Sequence, residues 1–256
     1  MTTYILRRLI QALIVLVIVT LIVFFVMRLL PGDPLLIYIG QQATMQAMPP
    51  EQIEKLRIEF GLDKPIMEQY FLWISGVVHG DFGRSIFYHE KVSTLLAERL
   101  PVTLYIGALA LFFGAITGIL IGLWAGVKRG KWPDKIITPI TYIAITVPVF
   151  WLGILMIYFF GLELGWLPIS GYTSPFDDFW QSTRQLIMPV FCSSLFSIAA
   201  NARQMRSSML ETISQDYIRT AWAKGLSERR VIFKHALKNS LIPVITLIGM
   251  GVGMIF

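Results

Sequence analysis

Five long blocks of apolar residues constrain this 256-residue chain more than any other feature of its sequence. The blocks cover residues 9–30, 102–127, 136–160, 185–202 and 241–256. A helix that crosses a membrane needs about 20 mainly apolar residues, whereas a soluble core needs no blocks of this length. Only 15% of the residues are charged, against about 25% in soluble domains. We therefore predict an all-α membrane protein, a polytopic bundle of transmembrane helices.

The two ends of the chain each raise a specific question. Arg7 and Arg8 precede the first block, as in a signal peptide, but this block is longer than the roughly 7–15 residues typical of one. We therefore predict an uncleaved membrane anchor. The last block would cover about 24 Å as a helix, against a hydrocarbon core of about 30 Å. From this length we expect a chain truncated within the fifth span.

The distribution of lysine and arginine predicts the orientation in the membrane. Residues 1–8, 128–135 and 203–240 together carry fourteen basic side chains, while residues 31–100 carry six basic and nine acidic ones. Basic residues concentrate in the short cytoplasmic loops of membrane proteins. We therefore place the N-terminus and residues 203–240 in the cytoplasm. The net charge of +6 is explained by this bias, so we predict no nucleic-acid partner.

Three parts follow from this topology. They are a cytoplasmic N-terminus with the first transmembrane helix (1–30), an extracytoplasmic segment (31–100) and a core of spans two to five (101–256). In the middle part, Pro50 is placed to begin a helix that Gly61 would end, and Pro65 to begin a second one. We interpret this segment as a small cap over the outer ends of the spans, with a docking surface or gate as the alternative.

The predicted spans contain glycines and prolines at positions that affect helix packing and bending. Span two has a glycine at every fourth position, on one face of a helix: Gly114, Gly118, Gly122 and Gly126. Such stripes allow two helix backbones to approach closely, and the partner helix could belong to this chain or to another. Pro139, Pro148 and Pro189 are expected to kink their spans.

The sequence carries none of the motifs that would indicate an enzyme. It lacks HExxH, GxSxG, a paired intramembrane aspartate and the phosphate-binding GxxxxGK[ST]. We therefore predict no catalytic residues and no hydrolysis of nucleotide by this chain. Cys192 is the single cysteine and the three histidines are far apart, so no metal site and no cofactor are predicted.

The predicted cytoplasmic loop 203–240 has a regular pattern of its own. An apolar residue recurs every four positions: Met205, Met209, Ile213, Tyr217 and Ala221. We predict one helix that continues out of span four and ends at Gly225, then a second helix that Ser227 caps and Pro243 restricts. This pattern suits docking to a lipid surface and docking to a protein equally well.

The residues of this loop resemble a known family. Residues 219–225, Arg-Thr-Ala-Trp-Ala-Lys-Gly, and residues 235–237, His-Ala-Leu, are similar to the EAA loop of ABC importer permease subunits. Ala221, Gly225 and Leu237 match its general pattern Glu-Ala-Ala-x3-Gly-x9-Ile-x-Leu-Pro. The departures from it are Arg219, Thr220, His235 and Lys238, and all four have the form seen in the dipeptide/oligopeptide/nickel branch. Residues 29–34, 60–65, 80–85 and 99–104 resemble the same branch, so the likeness covers essentially the whole chain.

The resemblance implies a fold, a function and a set of partners. It implies a type I ABC importer permease, with residues around 216–224 forming a coupling helix against a separate ATPase subunit. The residues expected to contact that subunit are Asp216, Tyr217, Ile218, Arg219, Thr220, Ala221, Ala223, Lys224, Gly225 and Leu226. The implied partners are a second homologous permease, two ATPase subunits and an extracytoplasmic substrate-binding protein, in the bilayer of a bacterial or archaeal cell membrane.

The cargo is left open between two classes. Peptides are the first expectation, and nickel or another metal chelate is the alternative; no substrate-contacting residue is predicted. A membrane scaffold subunit that moves nothing is the rival from a different class. Only the importer depends on an ATPase, which separates the two.

Overall fold

A computed structural model describes residues 2–29, 49–59, 61–85, 87–88 and 90–253 of the chain. All regular elements in these ranges are helices, apart from one isolated antiparallel bridge between Arg84 and Lys91. Residues 30–34 and Phe60 of the family-like motifs, and residues 254–256 of the last apolar block, lie outside the described residues. The chain divides into two compact units, residues 1–99 and 100–256.

The first unit contains a long apolar helix and two shorter ones. Their bounds are α1 Thr2–Leu29, α2 Pro50–Glu59 and α3 Ile66–Val78. As predicted, α2 begins at Pro50 and α3 directly follows Pro65. Tyr70 of α3 is buried against α1, where its ring lies 5.3 Å from that of Phe24 and its hydroxyl lies 3.2 Å from Oγ1 of Thr20.

The second unit is a bundle arranged around one long helix. Its elements are α4 Val92–Val127 (from residue 100), α5 Trp132–Thr146, α6 Val149–Glu163, α7 Phe179–Ile213, α8 Asp216–Ala223 and α9 Glu228–Val252. Helix α7 is central, because α5, α6, α8 and α9 all pack against it. At 35 residues it is about 52 Å long, well beyond the roughly 30 Å of a hydrocarbon core.

The helices extend beyond the apolar blocks from which they were predicted. Helix α4 begins ten residues before the predicted start at residue 102, and α7 extends from 179 to 213 rather than from 185 to 202. The apolar blocks end where lipid would end, but backbone hydrogen bonding continues through the polar residues on either side. Pro101 and Pro189 lie inside these helices and end neither of them.

The predicted third span is broken rather than gently kinked. Helices α5 and α6 meet at an angle of 101° at Val147 and Pro148. Pro148 has no backbone N–H, and it forces the preceding residue into an extended conformation, which Val147 adopts with φ −69° and ψ 124°. Pro139 lies within α5 without breaking it. The described residues thus hold four helices able to span a membrane, or five with this bent pair, as a polytopic membrane protein requires.

The four glycines of α4 face α7 of the same chain. All four are buried, and a Cβ atom added to them would collide with α7: 2.6 Å from Oγ of Ser197 at Gly114, and 2.6 Å from Cβ of Asn201 at Gly118. At Gly122 it would strike the carbonyl oxygen of Ala202, and at Gly126 it would lie 2.9 Å from Cβ of Met209. Only glycine permits backbones this close, and close packing is what holds helices together in lipid.

An ion pair joins the start of α5 to α7. The guanidinium of Arg206 donates to both carboxylate oxygens of Asp134, from Nε at 2.5 Å and from Nη2 at 3.1 Å. The same carboxylate accepts from the backbone N–H of Gly130 at 2.9 Å and from the hydroxyl of Thr138 at 3.0 Å. Asp134 is 7% exposed. A buried carboxylate needs this number of partners, and the four bonds fix the turn between α4 and α5 against α7.

The close contact at the α4 glycines predicts that a larger side chain there lowers the stability of the protein. We expect Gly122→Leu to destabilise the purified protein by about 1–3 kcal/mol or more, because overpacking against the α7 backbone forces the helices apart. Thermal unfolding in detergent measures the change. Gly249→Leu on α9 is the matched control, since a Cβ at Gly249 meets nothing within 4 Å. Equal stability of the two variants would show that the α4–α7 contact does not hold the bundle.

Candidate functional site

A short separate helix, α8, lies between the two long helices at the sequence stretch predicted to couple to a partner. The prediction of one continuous helix through residues 205–221 is wrong, because α7 ends at Ile213 and α8 begins at Asp216. The hydroxyl and backbone N–H of Ser214 both bond to the carbonyl of Glu211. Gln215 then becomes extended, with ψ 149°, before the chain turns into α8.

One face of α8 is locked onto the helix bundle. Ile218 is fully buried and Ala221 is 6% exposed. Both belong to a core that we call the elbow cluster, whose members come from α4, α7, α8 and α9: Leu123, Met205, Met209, Ile218, Ala221, Val231, Ile232, Ala236 and Val244. Any displacement of α8 therefore moves side chains that three long helices share.

Gly225 ends this helix in the way predicted for a helix stop. Its φ is +75°, a left-handed conformation that glycine adopts without strain. The N–H of Gly225 donates to the carbonyl of Trp222 at 2.9 Å, and that of Leu226 donates to the carbonyl of Ala221 at 3.4 Å. This pair of bonds is a Schellman motif. It satisfies the last carbonyls of α8 and turns the chain directly towards α9.

The opposite face of α8 is open. Among the ten residues expected to meet an ATPase subunit, seven are exposed: Asp216, Tyr217, Arg219, Thr220, Ala223, Lys224 and Gly225. Leu226 is half-buried, while Ile218 and Ala221 point into the elbow cluster. The buried pair therefore anchors α8 in the isolated chain instead of presenting a surface.

Sequence reasoning missed two residues of this region. Trp222 is 41% exposed and adds the largest side chain to the open face, although it stands inside the family-like motif. Asn239 donates from Nδ2 to the hydroxyl of Tyr217 at 2.7 Å and so ties α8 to α9. The exposed tryptophan could have been found from the helical period of α8, but the Tyr217–Asn239 bond joins residues 22 positions apart and leaves no local signal.

Helix α9 continues without a stop from the loop 203–240 into the last apolar block. Residues Val231–Ala236 form a π-helical stretch within it. Ser227 is at the N-cap as predicted, but its side chain makes no capping hydrogen bond. Pro243 lies inside the helix and does not end it, contrary to prediction, because losing one backbone bond is tolerated where the turns on both sides keep theirs. Ser240, fully buried, lies with its hydroxyl 3.1 Å from Sδ of Met209.

This geometry is that of a mechanical connection, with a rigid short helix that has one face fixed to the bundle and one face free. The fixed face reaches α4, α7 and α9 through the elbow cluster. The free face offers an aromatic ring at Trp222, a charge pair between Asp216 and Arg219 at 3.3 Å, and Lys224. Such a helix suits a partner protein that binds and moves it.

Comparison with known proteins agrees with this arrangement. The family described as "Binding-protein-dependent transport system inner membrane component" matches residues 118–256, and the N-terminal family of the same systems matches residues 1–107. A putative peptide transport system permease protein of Brucella abortus is 41% identical over 249 residues, which cover 97% of this chain and 78% of the relative.

Two further relatives have similar coverage. The dipeptide transport system permease protein DppB of Lactococcus lactis is 38% identical over 257 residues, covering 100% of this chain and 80% of the relative. The glutathione transport system permease protein GsiC of Escherichia coli is 37% identical over 255 residues, covering 100% and 79%. The chain therefore belongs to the family of binding-protein-dependent transport system inner-membrane components, the permease subunits of ABC importers.

Proposed function

We propose that this chain forms part of the translocation pathway for peptides in an ATP-driven importer and that α8 is its coupling helix. The observation that carries the proposal is the two-sided geometry of α8: Ile218 and Ala221 are buried in the elbow cluster, and the face with Arg219 and Trp222 is open. The relatives described above carry the words peptide, dipeptide and glutathione in their names, which favours peptides over nickel as cargo.

The proposed mechanism needs separate subunits for binding and for hydrolysis. An ATPase subunit binds the open face of α8, and closure of an ATPase dimer displaces that helix. Because the Schellman turn at Gly225 and the Tyr217–Asn239 bond hold α8 to α9, the displacement moves α7 and α9 together with it. Rigid movement of helix groups around a central site is an established route to alternating access.

We infer the remaining partners from the family to which the chain belongs. A second homologous permease would complete the pathway, two ATPase subunits would supply the energy, and an extracytoplasmic protein would deliver the peptide. The surplus of lysine and arginine in residues 1–8, 128–135 and 203–240 supports a cytoplasmic N-terminus and a cytoplasmic α8. The ATPase subunits would then bind on the cytoplasmic side of the cell membrane.

The first test uses the open face. The full-length protein is reconstituted in liposomes with its partner permease, ATPases and binding protein, and ATP-dependent peptide uptake is measured. We expect Arg219→Glu to reduce uptake about tenfold or more, because a reversed charge at a protein interface is strongly unfavourable. The Arg219 side chain is 71% exposed, so the fold should be unaffected.

Arg129→Glu is the control, since Arg129 is exposed in the turn after α4 and outside α8. Peptide uptake by the unmodified complex without ATPase subunits, or unimpaired uptake by the Arg219 variant, would contradict a role for α8 in coupling. If the protein binds the ATPase but moves no peptide, the proposed role of α8 as a coupling helix would stand and the proposed peptide cargo would be refuted.

The second test uses the buried face. We expect Ala221→Asp to raise amide hydrogen exchange across α8 roughly tenfold or more, because it would bury a carboxylate in the elbow cluster without a partner. Ala223→Asp is the matched control on the exposed side of the same helix. Exchange is measured on the permease without ATPase, so that binding of the partner does not contribute. Equal exchange in both variants would show that α8 is not anchored by this face.

A further inference from the structure

A cavity beside α7 is lined by an arginine that forms no ion pair with any residue the structure describes. The cavity has a volume of about 580 Å³ and is bounded by α5, α7 and α9, with polar side chains on its wall: Thr138, Thr141, Tyr142, Arg203, Gln204 and Ser207. Its volume is within the roughly 300–1,000 Å³ of small-molecule sites.

Two arginines one turn apart face this cavity, and they have different surroundings. Arg206 is paired with Asp134 through two hydrogen bonds. Arg203 has no carboxylate within ion-pair distance among the residues the structure describes. Its guanidinium carbon lies 5.3 Å from the centre of the Tyr142 ring. The three charged groups therefore sum to +1, centred on Arg203.

The contact with Tyr142 prepares Arg203 to bind an oxyanion. A guanidinium that stacks on an aromatic face keeps the N–H groups at its edge available, and these form a fork that matches a carboxylate. Two hydrogen bonds to an ionised group are stronger than bonds between neutral groups and fix the orientation of the ligand. The wall adds hydroxyls at Thr138 and Ser207 and an amide at Gln204, which suit the main chain of a peptide.

An apolar cavity adjoins the polar one. It has a volume of about 640 Å³ and lies between α4, α7 and α9. Phe196, Ala200 and Leu247 line both cavities, so the two share a wall. A ligand with an anionic end and an apolar body would match this pair of cavities, and a peptide with a hydrophobic C-terminal residue has that form.

We propose that Arg203, held by Tyr142, binds the C-terminal carboxylate of a peptide in transit. This inference rests on the proposed peptide transport, and it names a substrate contact within it. The residue is then a determinant of specificity for a free carboxyl terminus. A phospholipid phosphate has similar chemistry, but the concave polar wall and the adjoining apolar cavity fit a peptide better.

The test compares uptake of a peptide with and without the negative charge of its C-terminal carboxylate. The complete importer is reconstituted in liposomes, and uptake is measured for Ala-Phe and for the same dipeptide with a C-terminal amide. We expect Arg203→Gln to lower the uptake rate of Ala-Phe by about tenfold or more, with a much smaller effect on the amide. Arg203→Lys keeps the charge without the fork and should restore part of the rate, whereas Arg203→Met should not.

The binding protein is the same in every preparation, so its own selectivity cancels when each variant is compared with the unmodified permease. Arg129→Gln removes one exposed positive charge elsewhere and should leave both rates unchanged. Thermal unfolding of each variant in detergent is compared with that of the unmodified permease, which separates a substrate contact from a folding defect.

Each of the following outcomes would overturn the inference. An equal loss for both peptides, or no rescue by lysine, would mean a structural role. A loss that is equal for both peptides and appears only in liposomes with anionic lipid would assign Arg203 to a lipid phosphate. If the unmodified importer moves Ala-Phe and the Arg203 variants keep its full rate, the inference about Arg203 fails and the proposed peptide transport stands. If the unmodified importer moves neither peptide, peptide transport fails and the inference fails with it.

Discussion

The close approach of α4 to α7 is the contact on which the second unit depends. In lipid, apolar side chains gain little by leaving their surroundings, so helices associate through tight packing of backbone and short side chains. Four glycines at a spacing of four place the α4 backbone directly against Ser197, Asn201, Ala202 and Met209 of α7. Any larger residue there would separate the helices. The same contact sets the position of Met205 and Met209, whose side chains are the centre of the elbow cluster.

From that cluster the structure has a continuous physical connection to the open face of α8. Met209 lies between the glycine contact and Ser240 of α9, and it packs in the same cluster as Ile218 and Ala221 of α8. Dense packing transmits displacement because buried side chains have little free volume in which to absorb it. Two further contacts then make α8 rigid: the Schellman turn at Gly225 and the hydrogen bond from Asn239 to Tyr217.

The sequence allowed the apolar spans and the helical period to be predicted, because both are local patterns. It did not reveal the break at Ser214 and Gln215. The spacing of four continues in the sequence from Met205 to Ala221 across that break. In α8, however, Tyr217 is exposed and Ile218 is buried in the elbow cluster instead, so the buried positions change register at the break. The structural effect of each proline could not be predicted from the sequence either. Pro148 separates two helices at 101°, whereas Pro243 lies within one, and only the surrounding packing distinguishes them.

The contrast between Arg203 and Arg206 depends on a single carboxylate. Both arginines directly follow the apolar block 185–202, on the part of α7 that extends beyond it. Asp134 can neutralise only the guanidinium that its oxygens reach, and both of its hydrogen bonds from arginine come from Arg206. That pair fixes the turn at Gly130 against α7. In the described part of the chain, Arg203 then has an aromatic ring beside it in place of an anion. A structural ion pair and an available cation thus occur one turn apart on the wall of the same cavity.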